Sequence, residues 1–304
     1  RQAPAMPHAA VAVDLAQPRQ RDLPETIAVD RVEVFEYLSG RPELLRAMEL
    51  LGPAWQSDQR KSEKLHEVAG FCAVILRYVR SYLAREDPVR VLECSCGKGY
   101  LSFALSVLLR EVEGKGVRLQ GVDVNPALIG RCRGVAEALG MADARFACCR
   151  TIEFQSQERC ELVVSLHACD TATDEAIAKG IQLGVKLILV VPCCQNQIRA
   201  QIRSGHPLSG ITDFGPARYR LANLLTDALR AQFLHSAGYH VEMDEIGSEK
   251  LTPKNLCICA RKVKRSARMP RDRQYRALRE LFGVRPEIEA LCPGVVSNPG
   301  DGTH

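Results

Sequence analysis

The chain has 304 residues, of which 46% are hydrophobic and 25% are charged, and its formal net charge is +5 with a pI near 8.6. This composition predicts a soluble globular protein with one large core. No apolar run approaches the roughly 20 residues that span a bilayer, so no transmembrane segment is expected. The modest basic excess permits an anionic partner without requiring one.

The 13 cysteines are an odd number, and several stand in adjacent pairs such as Cys148-Cys149 and Cys193-Cys194. No signal peptide is visible. Together these features predict an intracellular, reducing and cytoplasmic setting. Because the sequence begins with Arg1 rather than methionine, organelle targeting is left open.

Three regions are predicted along the chain. Residues 1–57 are expected to form a flexible segment, with short helical patterns over 30–51. Residues 58–264 are the predicted main domain, which begins with a long helix over 58–84 whose apolar positions recur every three or four residues. Residues 265–304 are expected to form a basic tail.

The main domain alternates between strand and helix patterns. Five strands are predicted, at 89–93, 117–124, 144–148, 161–166 and 186–191. The helix after the fourth strand is expected to begin with a capping box formed by Thr171 and Asp174. Repeated units of this kind give a parallel sheet with helices on both faces.

Two further strands are predicted at 240–246 and 256–263, and the residues between them are too few for a helical crossover. We therefore expect these strands to pair antiparallel. The segment before them contains a strong helix over 221–234 and is interpreted as a lid or substrate platform. The predicted fold is α/β, a Rossmann-like seven-stranded sheet with an antiparallel closing hairpin and a helical N-terminal extension.

The stretch Arg90–Leu101 has the pattern of a strand, a tight glycine turn and a helix, which lets the backbone approach a ligand closely. As a dinucleotide fingerprint it lacks the third glycine, where Ser102 stands. As the turn that binds S-adenosylmethionine (SAM) it has Ser95 in place of the first glycine. Asp123, at the end of the second strand, suits the ribose of either cofactor, or is satisfied by nearby backbone amides. The antiparallel hairpin is typical of class I SAM methyltransferases and favours SAM over NAD.

Six spaced motifs resemble, in the same order, the class I methyltransferase family with LHACD and PCC motifs. They read RVLECSCGKGYLS, GVDVNP, SLHACDTATDEAI, VVPCCQ, LLTDALRAQFLHSAGY and LTPKNLCICARK. That family includes bacterial SAM-dependent methyltransferases, the methyltransferase part of glutathione S-transferase C-terminal domain-containing protein and, more distantly, a tRNA ribose methyltransferase. The resemblance covers about Gln59–Lys264 and implies a Rossmann-like fold that binds SAM, while many members have no defined substrate.

The chain departs from that family pattern at two places, Ser95 in the turn and Arg150 after Cys148-Cys149, where an acidic residue often contacts the adenine. The predicted cofactor-binding residues are Glu93, Ser95, Gly97, Gly99, Asp123, Val124, Arg150 and Ser165. Among these, Gly97 and Gly99 are expected to form the floor of the pocket, and Glu93 to lie near the methionine amino group.

The predicted catalytic residues are His167, Cys169, Asp170, Cys193 and Cys194. They follow the fourth and fifth strands, which should neighbour the first, so we expect them to meet Cys94 and Cys96 in one crevice. Because adjacent residues on a strand face opposite sides, only one of Cys193 and Cys194 is expected to be accessible, unless the strand has already turned there.

Three interpretations of this cysteine and histidine cluster stay open. The thiols can be small buried apolar groups. They can instead shape the acceptor or cofactor pocket, with His167 or Asp170 taking a proton. Thiolates and imidazole also suit zinc or iron, but no Cys-x-x-Cys pair occurs and no metal ligand is assigned.

The stretch from Arg261 to Arg279 is dense in arginine and lysine. Such a run is typical of a solvated tail, and it also supplies the phosphate attraction of an RNA binder. In the closing hairpin, Lys254 and Asn255 either form a simple turn or contact a phosphate or amide of the substrate.

These observations predict a SAM-dependent methyltransferase of unknown acceptor, with RNA (tRNA or rRNA) favoured over protein or a small molecule. The alternatives are a non-catalytic SAM- or RNA-binding module and a Rossmann NAD-binding oxidoreductase. No membrane partner is expected, and the sequence leaves the oligomeric state open.

Overall fold

The computed structural model describes residues 29–51, 59–202, 208–247, 254–263 and 272–296. Predictions made for residues 1–28, 52–58, 264–271 and 297–304 lie outside these ranges. No helix in the described part of the chain combines the length and apolar character needed to cross a membrane.

Seven strands form one sheet. They are β1 (Val89–Cys94), β2 (Val117–Asp123), β3 (Ala144–Cys148), β4 (Leu162–Leu166), β5 (Leu187–Val191), β6 (Tyr239–Glu245) and β7 (Leu256–Lys262). Their order across the sheet is β3-β2-β1-β4-β5-β7-β6. The first five pair in parallel, whereas β7 runs antiparallel to both β5 and β6. The predicted Rossmann-like sheet with an antiparallel closing hairpin is confirmed.

The helices precede the sheet, connect its strands and follow it. They are α1 (Arg31–Ser39), α2 (Pro42–Ala47), α3 (Gln59–Tyr82), α4 (Tyr100–Val107), α5 (Pro126–Ala138), α6 (Thr171–Leu183), α7 (Asn196–Gln201), α8 (Ser209–Thr212), α9 (Gly215–Ser236), α10 (Asp272–Phe282) and α11 (Glu287–Leu291). A π-helical turn, Leu108–Val112, continues α4.

Both faces of the sheet are covered by helices, because successive residues of each strand face opposite sides. In β1, Val91 packs into the core layer shared with α1 to α5, whereas Leu92 packs into the layer shared with α6, α9, α10 and α11. Burial on both faces explains why a strand such as β5, with the sequence LILVV, is apolar throughout.

The N-terminal helices are part of the first core layer. Leu38, Leu45 and Met48 are fully buried there, and α1 packs on α3. The predicted helical extension is therefore confirmed, but its described part is a packed element rather than a flexible segment.

Residues 272–296 correct the prediction of a basic tail. Helix α10 packs on α9 and α11 packs on α6. Tyr275 is fully buried, and its hydroxyl donates to Glu289 Oε1 at 2.7 Å. The tail was predicted because this stretch is dense in charged residues. However, Tyr275, Leu278 and Phe282 recur at helical spacing, which places apolar side chains on one face of α10.

The predicted capping box of α6 is also wrong. Asp170, not Thr171, is the N-cap residue, and no side chain caps this helix. The Asp174 carboxylate instead pairs with the buried Arg230 at 3.0 Å, and the Thr173 hydroxyl donates to the Ala168 carbonyl at 2.6 Å. A tertiary ion pair has replaced the local capping interaction.

Candidate active site

The glycine turn after β1 contains three residues with positive φ. Ser95, Gly97 and Gly99 have φ values of 54°, 55° and 74°, and α4 begins directly after them. A Cβ placed on Gly97 would meet no described atom within 4 Å, so the backbone faces open space there. A ligand can thus lie directly against this turn.

Asp123 ends β2, and two backbone N–H groups hold its carboxylate. Gly97 donates to Oδ2 and Asn125 to Oδ1, each at 2.9 Å. Each oxygen keeps a second lone pair, so the half-buried carboxylate can also accept from a diol. The next residue, Val124, is 66% exposed and offers an apolar surface beside the carboxylate.

These features fit SAM. The carboxylate of Asp123 suits the ribose hydroxyls, the side chain of Val124 suits the adenine face, and the open backbone at Gly97 leaves room for the methionine part. The assignment of each residue to its part of the cofactor stays a prediction.

Glu93 lies in the core, unlike Asp123 and Val124. Its side chain is 3% exposed and accepts a hydrogen bond from the Ser102 hydroxyl. Burial raises the pKa of Glu93 to about 8, and the hydrogen bond from Ser102 offsets only part of that effect. The group is therefore mostly protonated at neutral pH.

Two more predicted cofactor residues have partners within the protein. The Ser165 hydroxyl is buried and donates to the Cys94 carbonyl at 2.9 Å, which ties β4 to β1. Arg150 is exposed and pairs with Glu175 of α6. The hydroxyl of Ser165 is thus engaged in the sheet, whereas Arg150 lies at the surface.

The loop after β4 carries three of the predicted catalytic residues. Two of them, His167 and Asp170, have positive φ values of 62° and 53°. His167 Nε2 bonds to the Glu67 carboxylate of α3. Burial pushes the pKa of Glu67 up, but His167 and Lys64 outweigh it and bring this pKa to about 2. The carboxylate therefore stays ionised and fixes the imidazole from the side of α3.

Three thiols meet where the loops after β4 and β5 approach each other. The Sγ atoms of Cys169, Cys193 and Cys194 all lie within 4.8 Å of one another, and Cys169 is 3.3 Å from Cys193. Because β5 ends at Val191, both Cys193 and Cys194 have left the strand and both are half-buried. The strand has thus turned before Cys193, which is the exception that the sequence prediction allowed, and both thiols are partly accessible.

Cys94 and Cys96 do not join this cluster, contrary to our expectation of a single crevice. Cys94 is fully buried in the layer with α6 and α9, and Cys96 is buried in the opposite layer near Cys132. In all, eight of the 13 cysteines are buried. The accessible ones lie at the end of β3 or in the loops after β3, β4 and β5, and they are Cys148, Cys149, Cys169, Cys193 and Cys194.

A buried ionic network holds both thiol-bearing loops from the side of α9. Arg230 is 1% exposed and pairs with Asp174 and Asp227, while its guanidinium donates to the Asp170 carbonyl at 2.7 Å. The Gln195 amide donates to Asp227 at 3.3 Å. This network was not predicted from the sequence, although Asp227 and Arg230, oppositely charged and three residues apart in one helix, are a detectable signal.

An aromatic and cationic surface adjoins the thiols. Tyr219 of α9 is 36% exposed, with Lys254 Nζ 4.9 Å and Arg199 Cζ 5.6 Å from its ring centre. The Asn223 amide, with its oxygen toward Lys254, accepts from Nζ at 2.9 Å and donates to Gln195 Oε1 at 2.8 Å. Gln195 follows Cys194 in the chain, so this surface continues into the loop after β5.

The hydrogen bond and charge of Lys254 lower the pKa of Tyr219. Lys254 therefore lies against Tyr219, and its contact with a substrate stays a prediction. Asn255 is buried, and its amide donates to the Gly247 carbonyl at 2.8 Å. Its role is to close the hairpin.

Residues 63–201 match the family model described as a methyltransferase domain, a little under half of the chain. This match supports a methyltransferase domain over these residues. The match begins inside α3 and ends at α7, so it includes the glycine turn, Asp123 and the thiol cluster. No curated protein matches the sequence.

Solved structures show distant likeness. Magnesium protoporphyrin IX methyltransferase from Synechocystis, with bound S-adenosylhomocysteine, is 13% identical, with a TM-score of 0.46 over 77% of this chain and 99% of that one. An rRNA methylase from Streptococcus thermophilus is 12% identical, with a TM-score of 0.41 over 62% and 96%. A putative RNA methyltransferase from Pyrococcus horikoshii is 15% identical, with a TM-score of 0.40 over 64% and 85%. Likeness at this level assigns no substrate.

Proposed function

We propose that this methyltransferase domain modifies RNA. The observation that carries the proposal is the aromatic and cationic surface formed by Tyr219, Arg199 and Lys254. An exposed ring gives a base a face to stack on, and flanking cations neutralise phosphates. Phe214, at the start of α9, is 66% exposed and adds a second apolar ring to this helix end.

Position supports the same proposal. The surface adjoins the loop after β5, on the side of the sheet where the strands end and where Gly97 and Asp123 offer the cofactor pocket. A nucleotide stacked on Tyr219 would thus lie beside the residues predicted to be catalytic. Two basic residues of α10, Arg276 and Arg279, instead pair with the acidic residues Asp272 and Glu289.

SAM supplies an electrophilic methyl group, so the protein's task is alignment of the acceptor and removal of its proton. The loop after β4 is fixed at both ends, by Glu67 at His167 and by Arg230 at Asp170. Asp170 Oδ1 accepts from the Gln197 N–H at 3.0 Å, which orients its carboxylate. His167 and Asp170 are the proposed proton acceptors.

The test is methyl transfer from labelled SAM to fractionated cellular RNA, protein and small molecules. We expect label in an RNA fraction. Replacing Tyr219 by alanine should lower kcat/KM for that RNA roughly 10-fold or more, because stacking on an aromatic side chain contributes about 1–3 kcal/mol per base. SAM affinity, measured by calorimetry, should not change.

Two further variants separate the parts of the proposal. Asp123→Ala should abolish SAM binding, whereas Arg273→Ala, which removes an exposed positive charge of α10, should leave RNA methylation near the wild-type rate. Label in protein or a small molecule would refute the RNA acceptor. SAM binding without transfer to any fraction would indicate a non-catalytic module instead.

A further inference from the structure

The three clustered thiols are spaced for a metal ion. In a tetrahedral zinc site with Zn–S bonds near 2.3 Å, sulfur ligands lie about 3.8 Å apart. The Sγ atoms of Cys169, Cys193 and Cys194 already lie within 4.8 Å of one another, with 3.3 Å between Cys169 and Cys193. Small side-chain rotations would bring all three to one centre.

The loops that carry these thiols are fixed by the surrounding structure. Arg230 holds the Asp170 carbonyl next to Cys169, and Asp227 holds the Gln195 side chain next to Cys194. The backbone at both loops is therefore set before any ligand arrives. Such preorganisation reduces the cost of assembling a metal site.

The cluster is open to solvent on one side. Cys169 is exposed, and Cys193 and Cys194 are half-buried, so an ion can enter. The other close pair of thiols, Cys257 and Cys259 with Sγ atoms 3.4 Å apart, is buried in β7. Among the residues that the structure describes, the cluster is the one group of three metal-ligating side chains at this spacing.

We propose that Cys169, Cys193 and Cys194 together bind one Zn²⁺, with the fourth coordination position open to water or to a group of the substrate. Thiolate sulfur is a preferred zinc ligand, and three protein ligands with an open fourth position are typical of catalytic rather than structural zinc. On binding, three S–H bonds break, three S–Zn bonds form and three protons leave to solvent.

Two of the three thiol protons are engaged in weak hydrogen bonds before zinc binds. The Cys193 and Cys169 thiols donate toward the His167 carbonyl, at 3.6 Å and 3.9 Å. Zinc would replace these weak contacts with bonds to the metal. The inference does not depend on the acceptor, because metal content is measured without any substrate.

The experiment is elemental analysis of the full chain purified under reducing conditions without chelators. We expect about one zinc per chain, and cobalt substitution should give the thiolate charge-transfer absorption of a sulfur-rich site. Serine variants of Cys169, Cys193 and Cys194 should each lose most of the zinc. Cys148→Ser, which removes an accessible thiol outside the cluster, should keep it.

Circular dichroism of each variant separates loss of metal from loss of fold, and the cobalt spectrum of the wild-type chain needs no variant. Protein that contains no zinc and takes none from a zinc buffer would overturn the proposal. So would zinc retained in all three serine variants, iron with acid-labile sulfide, or a Cys169–Cys193 disulfide in the reduced preparation.

Discussion

Glu93 and Asp123 are two carboxylic acids that the sequence assigns to the same cofactor, and the structure separates them by burial. Asp123 is half-buried, and the backbone N–H groups of Gly97 and Asn125 donate to its carboxylate. Glu93 is enclosed by apolar surroundings and the Ser102 hydroxyl, and its pKa rises to about 8. Glu93 is therefore a buried and mostly neutral group at neutral pH, whereas Asp123 lies at the partly exposed end of β2.

This difference gives a pH prediction for Glu93→Gln. Between the ordinary pKa of 4.5 and about 8, the unfolded chain loses the Glu93 proton while the folded chain keeps it. The wild-type free energy of unfolding should therefore fall as pH rises through this window, by up to about 1.4 kcal/mol per pH unit. The glutamine variant lacks this contribution, so its stability relative to wild type should increase with pH.

Urea unfolding of both proteins across that pH window measures the effect. Glu137→Gln, on the exposed face of α5, serves as control and should follow the wild type. Parallel stability curves for wild type and Glu93→Gln would show that Glu93 is ionised in the folded protein.

The residue scale also shows where sequence reasoning fails. Asp123 could be proposed from the sequence because it is an acidic residue at the end of the second predicted strand. The sequence could not separate buried from accessible cysteines. Whether such a thiol is buried depends on strand register and on the residue at which the strand ends, and neither is visible in the sequence. Glu67 was missed because its partner, His167, lies 100 positions away.

Helix α3 packs directly against the backbone just after β6. A Cβ placed on Gly70 would be 1.7 Å from the Ile246 carbonyl oxygen, and a backbone atom cannot move aside as a side-chain tip can. Gly70 is thus required because α3 packs directly against the backbone of Ile246, and not because of a turn. This contact brings the first core layer against the end of β6.

Gly70→Ala should therefore destabilise the fold by roughly 1–3 kcal/mol, the usual cost of overpacking. Gly134→Ala is the matched control, because that glycine also lies within a helix, α5, and nothing stands within 4 Å of the added carbon among the described residues. It should stabilise by about 0.5–1 kcal/mol through helix propensity. Denaturant midpoints of the two variants should therefore shift in opposite directions, and a common direction would contradict the packing argument.

The elements themselves were predictable because each strand is buried on both faces and each helix has one apolar side. The five parallel strands and the hairpin have observed bounds within a few residues of those predicted. Two predictions were wrong. Helix α10 was predicted as a basic tail because its charged residues outnumber its spaced apolar ones. The capping box at the start of α6 was wrong because Asp174 pairs with Arg230. In both cases a tertiary contact determines the structure where the local sequence pattern predicted otherwise.

At the scale of the whole molecule, the C-terminal helices complete the second core layer. Tyr275 packs edge-on against Phe233 of α9, with ring centres 5.6 Å apart, and bonds to Glu289 of α11. The family match ends at residue 201, so much of this layer lies beyond it. Residues 272–296, which follow the sheet, therefore belong to the fold.

Tyr275→Ala should accordingly cost about 3–5 kcal/mol, the range for removing a large buried side chain. The control is Leu281→Ala on the same helix, where the side chain is 51% exposed and a change within about 0.5 kcal/mol is expected. Thermal or chemical unfolding measures both. Equal effects would mean that α10 does not pack as described.

The loop after β4 is held from both layers of the molecule, by Glu67 of α3 at His167 and by Arg230 of α9 at Asp170. The two helices lie on opposite faces of the sheet, so these side chains share no contact, yet they fix the same four residues. Substitutions at Glu67 and Arg230 should therefore be non-additive. A substitution in α3 that loosens this loop should therefore be suppressed by substitutions in α9, although the two helices lie on opposite faces of the sheet.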